Sequence, residues 1–233
     1  MSKRGELTIG VTGRRHIVPE ALEAVERGAR ELLRAHVDAF DGPVRVCAGL
    51  AVGADSIMAR IVLDEKKRRP VGKLRLAAVL PRALESYELD FKTAPDAFGL
   101  SQRAAFRELL AQCDETVELA NAAEDARDPV AGYVRLGDWL VENSDVLYSF
   151  WSGDASTVKR GGTADVTLKK LRRGPVDGSI VYGILTPELL RKKNPDGTKR
   201  YVPEPTDGAG RTAELREADD GTVVWLPQGE LLC

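Results

Sequence analysis

Histidine is almost missing from this chain: His16 and His36 are the only two in 233 residues. A histidine-rich metal site is thereby excluded, and nucleophile–histidine chemistry is limited to very few arrangements. Cysteine is nearly as scarce. Cys47, Cys113 and Cys233 lie far apart and form no CxxC pair, which argues against a disulfide framework or a zinc site and points to a reduced, cytoplasmic setting. Neither charge is in excess, because 34 Lys and Arg stand against 36 Asp and Glu for a net charge of -2. Such a balance gives no general pull toward nucleic acid or an anionic membrane, so any anion affinity has to be local. No apolar run approaches the roughly eighteen residues of a membrane span. The start, MSKRGELTIG, has cations but no apolar stretch of the kind an export signal needs. The expectation is a soluble, unexported protein with no metal and no cofactor.

What is present, 43% hydrophobic and 30% charged residues, suits a globular domain with at most a small appendage. LTIGVTG (7–13) reads as a buried strand closed by glycine. Pro19 then opens a stretch in which Leu22, Val25, Ala29, Leu32, Leu33 and Val37 recur at helical spacing. The unit repeats as VRVCAGL (44–50), GADSIMARIVLDEKK (53–67) and KLRLAAVLP (73–81). A helix is expected over 101–112 with Ser101 as its cap, a short strand at TVELA (116–120), a loop at NAAEDARDP and a helix over 130–143. DVLYSFWSG (145–153) and SIVYGILTP (179–187) read as strands flanking a helix begun by KRGGTADV. Alternating β and α units with apolar strands predict an α/β fold, a doubly wound, mostly parallel, Rossmann-like sheet. From residue 188 the composition changes to turn-rich NPDGTK, EPTDGAG and DDGT, with YVPE and TVVWLP between them. The chain is therefore divided into 1–187, the α/β domain, and 188–233, a small β-rich C-terminal extension held to the sheet by Val223, Val224 and Trp225.

In an open parallel sheet, ligands bind beyond the carboxyl ends of the strands. Four loops meet that description. The first has Gly13 for a tight exit, Arg14 and Arg15 as planar donors suited to phosphate or carboxylate, and His16; the plainer alternative is solvated charge and a backbone cap. The second, Gly49, Leu50, Ala51, Val52, Gly53, Ala54 and Asp55, is small and precedes a helix, so it suits either anion binding at a helix start or close packing alone. The third begins at Pro81 and contains Tyr87 and Asp90. The fourth offers Lys159, Arg160, Gly161, Gly162, Thr163 and Asp165 at a helix start, but matches neither GxxxxGK[ST] nor GxGxxG. Trp139 and Trp151 are candidates for stacking on a purine, with a core position as the plainer role.

In their order, VTGRRH, CAGLAVGADSIMA, and DWLVENSDVLYSFWSG followed by RGGTADV resemble the SLOG superfamily of Rossmann-like proteins over residues 7–187. Relatives in that superfamily include the LOG phosphoribohydrolases, the DNA-processing protein DprA and sensor domains of bacterial defence systems. The resemblance implies a nucleotide-derivative site at the glycine-rich loops. Gly13 and Arg14 take the first-strand contact, Gly49 to Asp55 match an SGLAxGxD-like loop, and Gly161, Gly162 and Thr163 take the phosphate loop. The LOG pattern PGGxGTxxE has an acid three residues after its threonine, where this chain has Val166. Asp165 is one residue off, about 100° around a helix, and need not take that acid's place.

Three functional readings follow. The first is a binder or sensor of a phosphorylated nucleotide derivative. The second is a hydrolase of its N-glycosidic or phosphate bond, with Asp165, Asp90 or Asp55 as acid or nucleophile and Arg14 stabilising charge. The third is a DprA-like nucleic-acid or protein-interaction module. The charge balance argues against nucleic acid as a partner, and a homodimer is the default expectation.

Overall fold

The computed structural model describes residues 5–94, 101–154, 158–194, 199–218 and 222–227. Strands β1 (Leu7–Gly13), β2 (Val44–Ala48) and β3 (Leu74–Leu80) alternate with helices α1 (Leu22–Ala39) and α2 (Ala54–Lys66). There follow α3 (Leu84–Tyr87), α4 (Gln102–Leu110), β4 (Glu115–Glu118), α5 (Ala122–Arg127), α6 (Ala131–Asn143), β5 (Val146–Trp151), α7 (Thr163–Asp177) and β6 (Ile180–Leu185). The chain then adds β7 (Leu189–Lys193), β8 (Lys199–Pro203), β9 (Thr212–Glu217) and β10 (Val223–Pro227). The sheet order is β10-β9-β6-β5-β1-β2-β3-β4, parallel from β6 to β4 and antiparallel at β9 and β10. This is the expected Rossmann-like α/β architecture.

Successive side chains of the central strands feed opposite faces. Val46 and Ala48 join the core under α1 and α2, while Cys47 between them joins the core under α6 and α7. Both faces are covered, which is why these strands read as unbroken apolar runs. From β1 the chain steps outward to β4 and then returns to β5 on the other side of β1. The reversal opens a crevice at the carboxyl ends of β1 and β5.

Two features were read differently in the sequence. NAAEDARDP contains α5 instead of a plain loop, and Asn121 caps it by accepting the Glu124 N–H at 3.2 Å. The β10 segment with Val223, Val224 and Trp225 is the outer strand. Attachment to the parallel sheet runs through β9, which pairs with β6, although the Trp225 ring does reach over Gly183 of β6. Cys47 and Cys113 are free thiols. Cys233, residues 95–100 and, within the fourth loop, 155–157 lie outside the described residues.

Two close contacts fix the layers. Lys170 of α7 is fully buried, and its ammonium donates to the carbonyls of Val141 at 2.7 Å and Ser144 at 2.5 Å. It caps the C-terminal end of α6, where a cation meets the negative pole of the helix; burial pushes its pKa down. On the opposite face, Gly28 of α1 meets the turn before β9 backbone to backbone, so that a Cβ at Gly28 would stand 1.8 Å from the Gly210 carbonyl oxygen. Replacing a mid-helix glycine by alanine ordinarily stabilises by about 1 kcal/mol. Here the sign reverses: Gly28→Ala is expected to destabilise by about 2 kcal/mol, measured by urea unfolding, and a neutral or raised midpoint would contradict this packing.

Candidate functional site

A cleft of about 420 Å³ lies at the switch point between β1 and β5. Its floor is apolar, from Val11, Leu136, Leu140 and Val166, while Arg14, Asp55, Lys159, Tyr133 and Glu188 bring polar groups to its walls. Glycine is required where elements cross beneath it. A Cβ on Gly13 would stand 2.3 Å from the Ala54 Cβ, and one on Gly137 would stand 2.6 Å from Val166 Cγ2.

The first loop supplies what its composition suggested. Arg14, Arg15 and His16 all line the cleft with Gly13. The Arg14 guanidinium pairs with Glu188 through Nη1 to Oε2 at 2.8 Å, and its Nε is buried without a protein partner. Arg15 lies over the Tyr133 ring at 5.0 Å from the centroid, and Arg82 also lies over that ring, at 5.2 Å. The ring of His16 stands 6.0 Å from that of Tyr201 on β8.

The second loop is mainly a joint. Leu50 has φ 54, a left-handed conformation uncommon for a branched side chain. Gly53 has φ 96, and a Cβ there would stand 2.4 Å from the Arg14 carbonyl oxygen. That carbonyl accepts the Ala54 N–H at 3.0 Å, and the Ala51 carbonyl accepts the Ser56 N–H at 3.1 Å. Two donors at the start of α2 are thus already used, and the expected anion cradle is occupied by the protein's own backbone. Of this loop only Ala51 and Asp55 line the cleft; Gly49, Leu50, Gly53 and Ala54 do not. The Gly49 carbonyl accepts the Tyr87 hydroxyl at 2.9 Å.

From the third loop, Pro81 and Asp90 stand outside the lining, whereas Tyr87 contributes to it. Asp90 pairs with Arg82 at 3.3 Å and accepts the Tyr133 hydroxyl. In the fourth loop Gly161, Gly162 and Thr163 line the cleft, yet the glycine donors are turned inward. The Gly161 N–H donates to Asp165 Oδ2 at 2.9 Å and the Gly162 N–H to the Lys159 carbonyl at 2.8 Å. Asp165 also pairs with Lys169 at 3.2 Å, so its carboxylate serves as the clamp of its own loop. No side chain caps α7, and Thr163 and Val166, both in the lining, bracket its first turn. Val166 holds the position of the LOG-pattern acid, and it faces the cleft as part of the apolar floor.

Trp151 is fully buried and Trp139 packs against the core beneath α6 and α7; neither lines the cleft, whose aromatic residues are Tyr87 and Tyr133. Glu188 is the principal residue missed from the sequence. It follows β6 immediately after Thr186 and Pro187, and extending the carboxyl-end rule to a fifth strand would have found it. Among the described residues no His, Cys, Asp and Glu cluster could hold a metal ion, and no helix is long and apolar enough to cross a membrane.

Asp55 is 8% exposed, and burial pushes its carboxyl up to about 6, against the opposing pull of the Ala51 N–H at 3.4 Å and of Arg15. With the folded value above the unfolded one, the native state holds a proton between about pH 4 and 6 that the unfolded chain has released. Stability therefore falls as pH rises through that window, by on the order of 3 kcal/mol. Asp55→Asn should lack this component. Urea unfolding of both proteins at several pH values in this range measures it, and parallel pH profiles would show that Asp55 titrates normally.

No protein-family model and no curated protein matches this sequence. Among solved structures, DNA processing protein A from Helicobacter pylori, described for its single-stranded DNA binding mode, is similar at TM-score 0.40 and 15% identity, over 75% of this chain and 63% of its own. DprA from Streptococcus pneumoniae is similar at TM-score 0.40 and 13% identity, over 76% of this chain and 50% of its own. The structural-genomics target TM1055 gives 0.39 and 13%, over 72% and 70%. The match thus spans less than two thirds of either DprA chain. The expectation against nucleic acid is corrected by the first of these, a similar solved structure described for its single-stranded DNA binding mode; a near-neutral total charge does not carry the exclusion.

Proposed function

We propose that the cleft binds a phosphorylated nucleotide derivative and that the protein acts as its binder or sensor. The observation that carries this reading is the combination on one cleft of an uncapped helix start with Lys159 and Arg15, which make no ion pair among the described residues. A helix N-terminus with adjacent cations favours phosphate. Arg14 adds its unpartnered Nε, a buried donor that costs about 1–3 kcal/mol until an acceptor meets it. The apolar floor suits a base or ribose face, and Asp55 gives an acceptor for a hydroxyl.

Hydrolysis is the weaker reading. Val166 replaces the acid of the LOG pattern, Asp165 is engaged by Gly161 and Lys169, and Glu188 is paired with Arg14. Thermal shift and product analysis with nucleoside mono- and diphosphates should show a raised melting temperature without turnover. Arg15→Ala should weaken that ligand about tenfold. A panel that leaves the melting temperature unmoved would sink the proposal, and turnover abolished by Asp165→Ala would restore the hydrolase.

A second reading, single-stranded nucleic acid, is favoured by the β7–β8 hairpin. Its strands, LLRKK and KRYVP, place Arg191, Lys192, Lys193, Lys199 and Arg200 together with no acid. Lys192 pairs in register with Arg200; like charges set opposite each other are unfavourable without a counter-charge. Tyr201, 54% exposed, stands beside His16 at the cleft mouth. An oligothymidylate of about 20 nucleotides should bind with an affinity that drops steeply with salt and with Tyr201→Ala. Absence of binding at low salt rejects this reading.

A further inference from the structure

A second cleft, of about 430 Å³, lies on the far side of the first loop, and Arg15 and His16 wall both. Leu50 and Gly53, which do not reach the first cleft, line this one, together with Ile57 and Arg60 of α2 and Gln102 of α4. Behind them Phe91 and Phe106 stack at 4.4 Å between centroids, with 20° between ring planes. The wall is thus aromatic and aliphatic with a few polar groups, the make-up of a small-molecule site.

The distribution of arginines marks where the anion goes. Around α1 and α2, Arg30, Arg34 and Arg69 converge on Glu65, with contacts of 3.1, 2.9 and 3.7 Å. Arg60, exposed on α2, makes no ion pair among the described residues, and Arg15 on the shared crest engages Tyr133 and feels the Asp55 carboxyl at longer range but forms no ion pair among the described residues. A guanidinium without a carboxylate is positioned to take a phosphate in two-pronged fashion. One such group stands between the clefts and another in the second.

Resting on the reading of the first cleft as a nucleotide site, we infer that the ligand is bipartite: a dinucleotide whose pyrophosphate lies over Arg15 and toward Arg60, with one nucleoside in each cleft. Once the first half is seated, the second binds as an intramolecular partner, and joining the halves raises affinity without further change in the protein.

Isothermal titration with AMP, GMP, CMP and UMP, and with the corresponding symmetric dinucleoside pyrophosphates, tests this. At least one dinucleoside pyrophosphate should bind about tenfold or more tightly than its mononucleotide. Arg60→Ala, a change at an exposed position, should remove about tenfold of dinucleotide affinity and leave mononucleotide affinity within about twofold. Equal affinities for the two ligand classes, or an equal loss for both in the variant, would overturn the inference. Mononucleotide binding without a dinucleotide gain fells this inference and spares the first-cleft reading; binding of neither class fells both.

Discussion

The hydrogen bond from the Ala54 N–H to the Arg14 carbonyl, 3.0 Å long, is the contact on which the functional end of the molecule depends. It joins the end of β1 to the start of α2, and it exists only because neither neighbour has a side chain in the way. Gly13 admits the Ala54 Cβ, and Gly53, at φ 96, admits the Arg14 carbonyl. Once made, it fixes the next two residues of the first loop. Arg14 is held where Glu188 can reach it, and Arg15 stands on a crest with a cleft on either side. The left-handed Leu50 lies in the same joint, consistent with strain being retained where surrounding contacts over-determine the backbone.

Charge is organised locally about that joint. The whole-chain sum of -2 averages over arginines locked to carboxylates, such as those around Glu65, and cations that make no ion pair among the described residues, such as Lys159, Arg15 and Arg60. It also averages over a hairpin with five basic residues in two strands. A net charge therefore predicts the long-range field of a protein and says little about a groove on it. The expectation against nucleic acid had no warrant in the net charge, because it applied a global quantity to a local question.

The parallel core was legible because strands covered on both faces leave apolar runs, and the helices between them leave a 3.6-residue stripe. β9 was not, because in RTAELRE the buried Ala213 and Leu215 stand among charges and Glu214 between them is itself buried, so no apolar run marks the strand. Of the site, the loops after β1 and β5 were found by rule. The second glycine loop shows the limit of local pattern: GLAVGAD has the small residues of an anion cradle, yet it receives a backbone carbonyl from a segment about forty residues away in the chain, and only the tertiary fold shows it. Asp165 is similar, since its use by Gly161 follows from how the loop turns back on the helix.

On the reading proposed for the cleft, the Arg14–Glu188 pair sets the terms on which a ligand enters. Glu188 places a negative charge on the wall of the cleft, so an anion approaching Arg14 meets a guanidinium already partly satisfied. A neutral nucleoside gains little there, because it has no charge with which to compete for the arginine. A phosphate does compete, since it offers several acceptor oxygens to Nη1, to the unpartnered Nε and to Lys159 on the same cleft. Selectivity for phosphorylated over unphosphorylated forms then comes from the ion pair the ligand has to rearrange, and the apolar floor at Val166 contributes affinity that does not distinguish them.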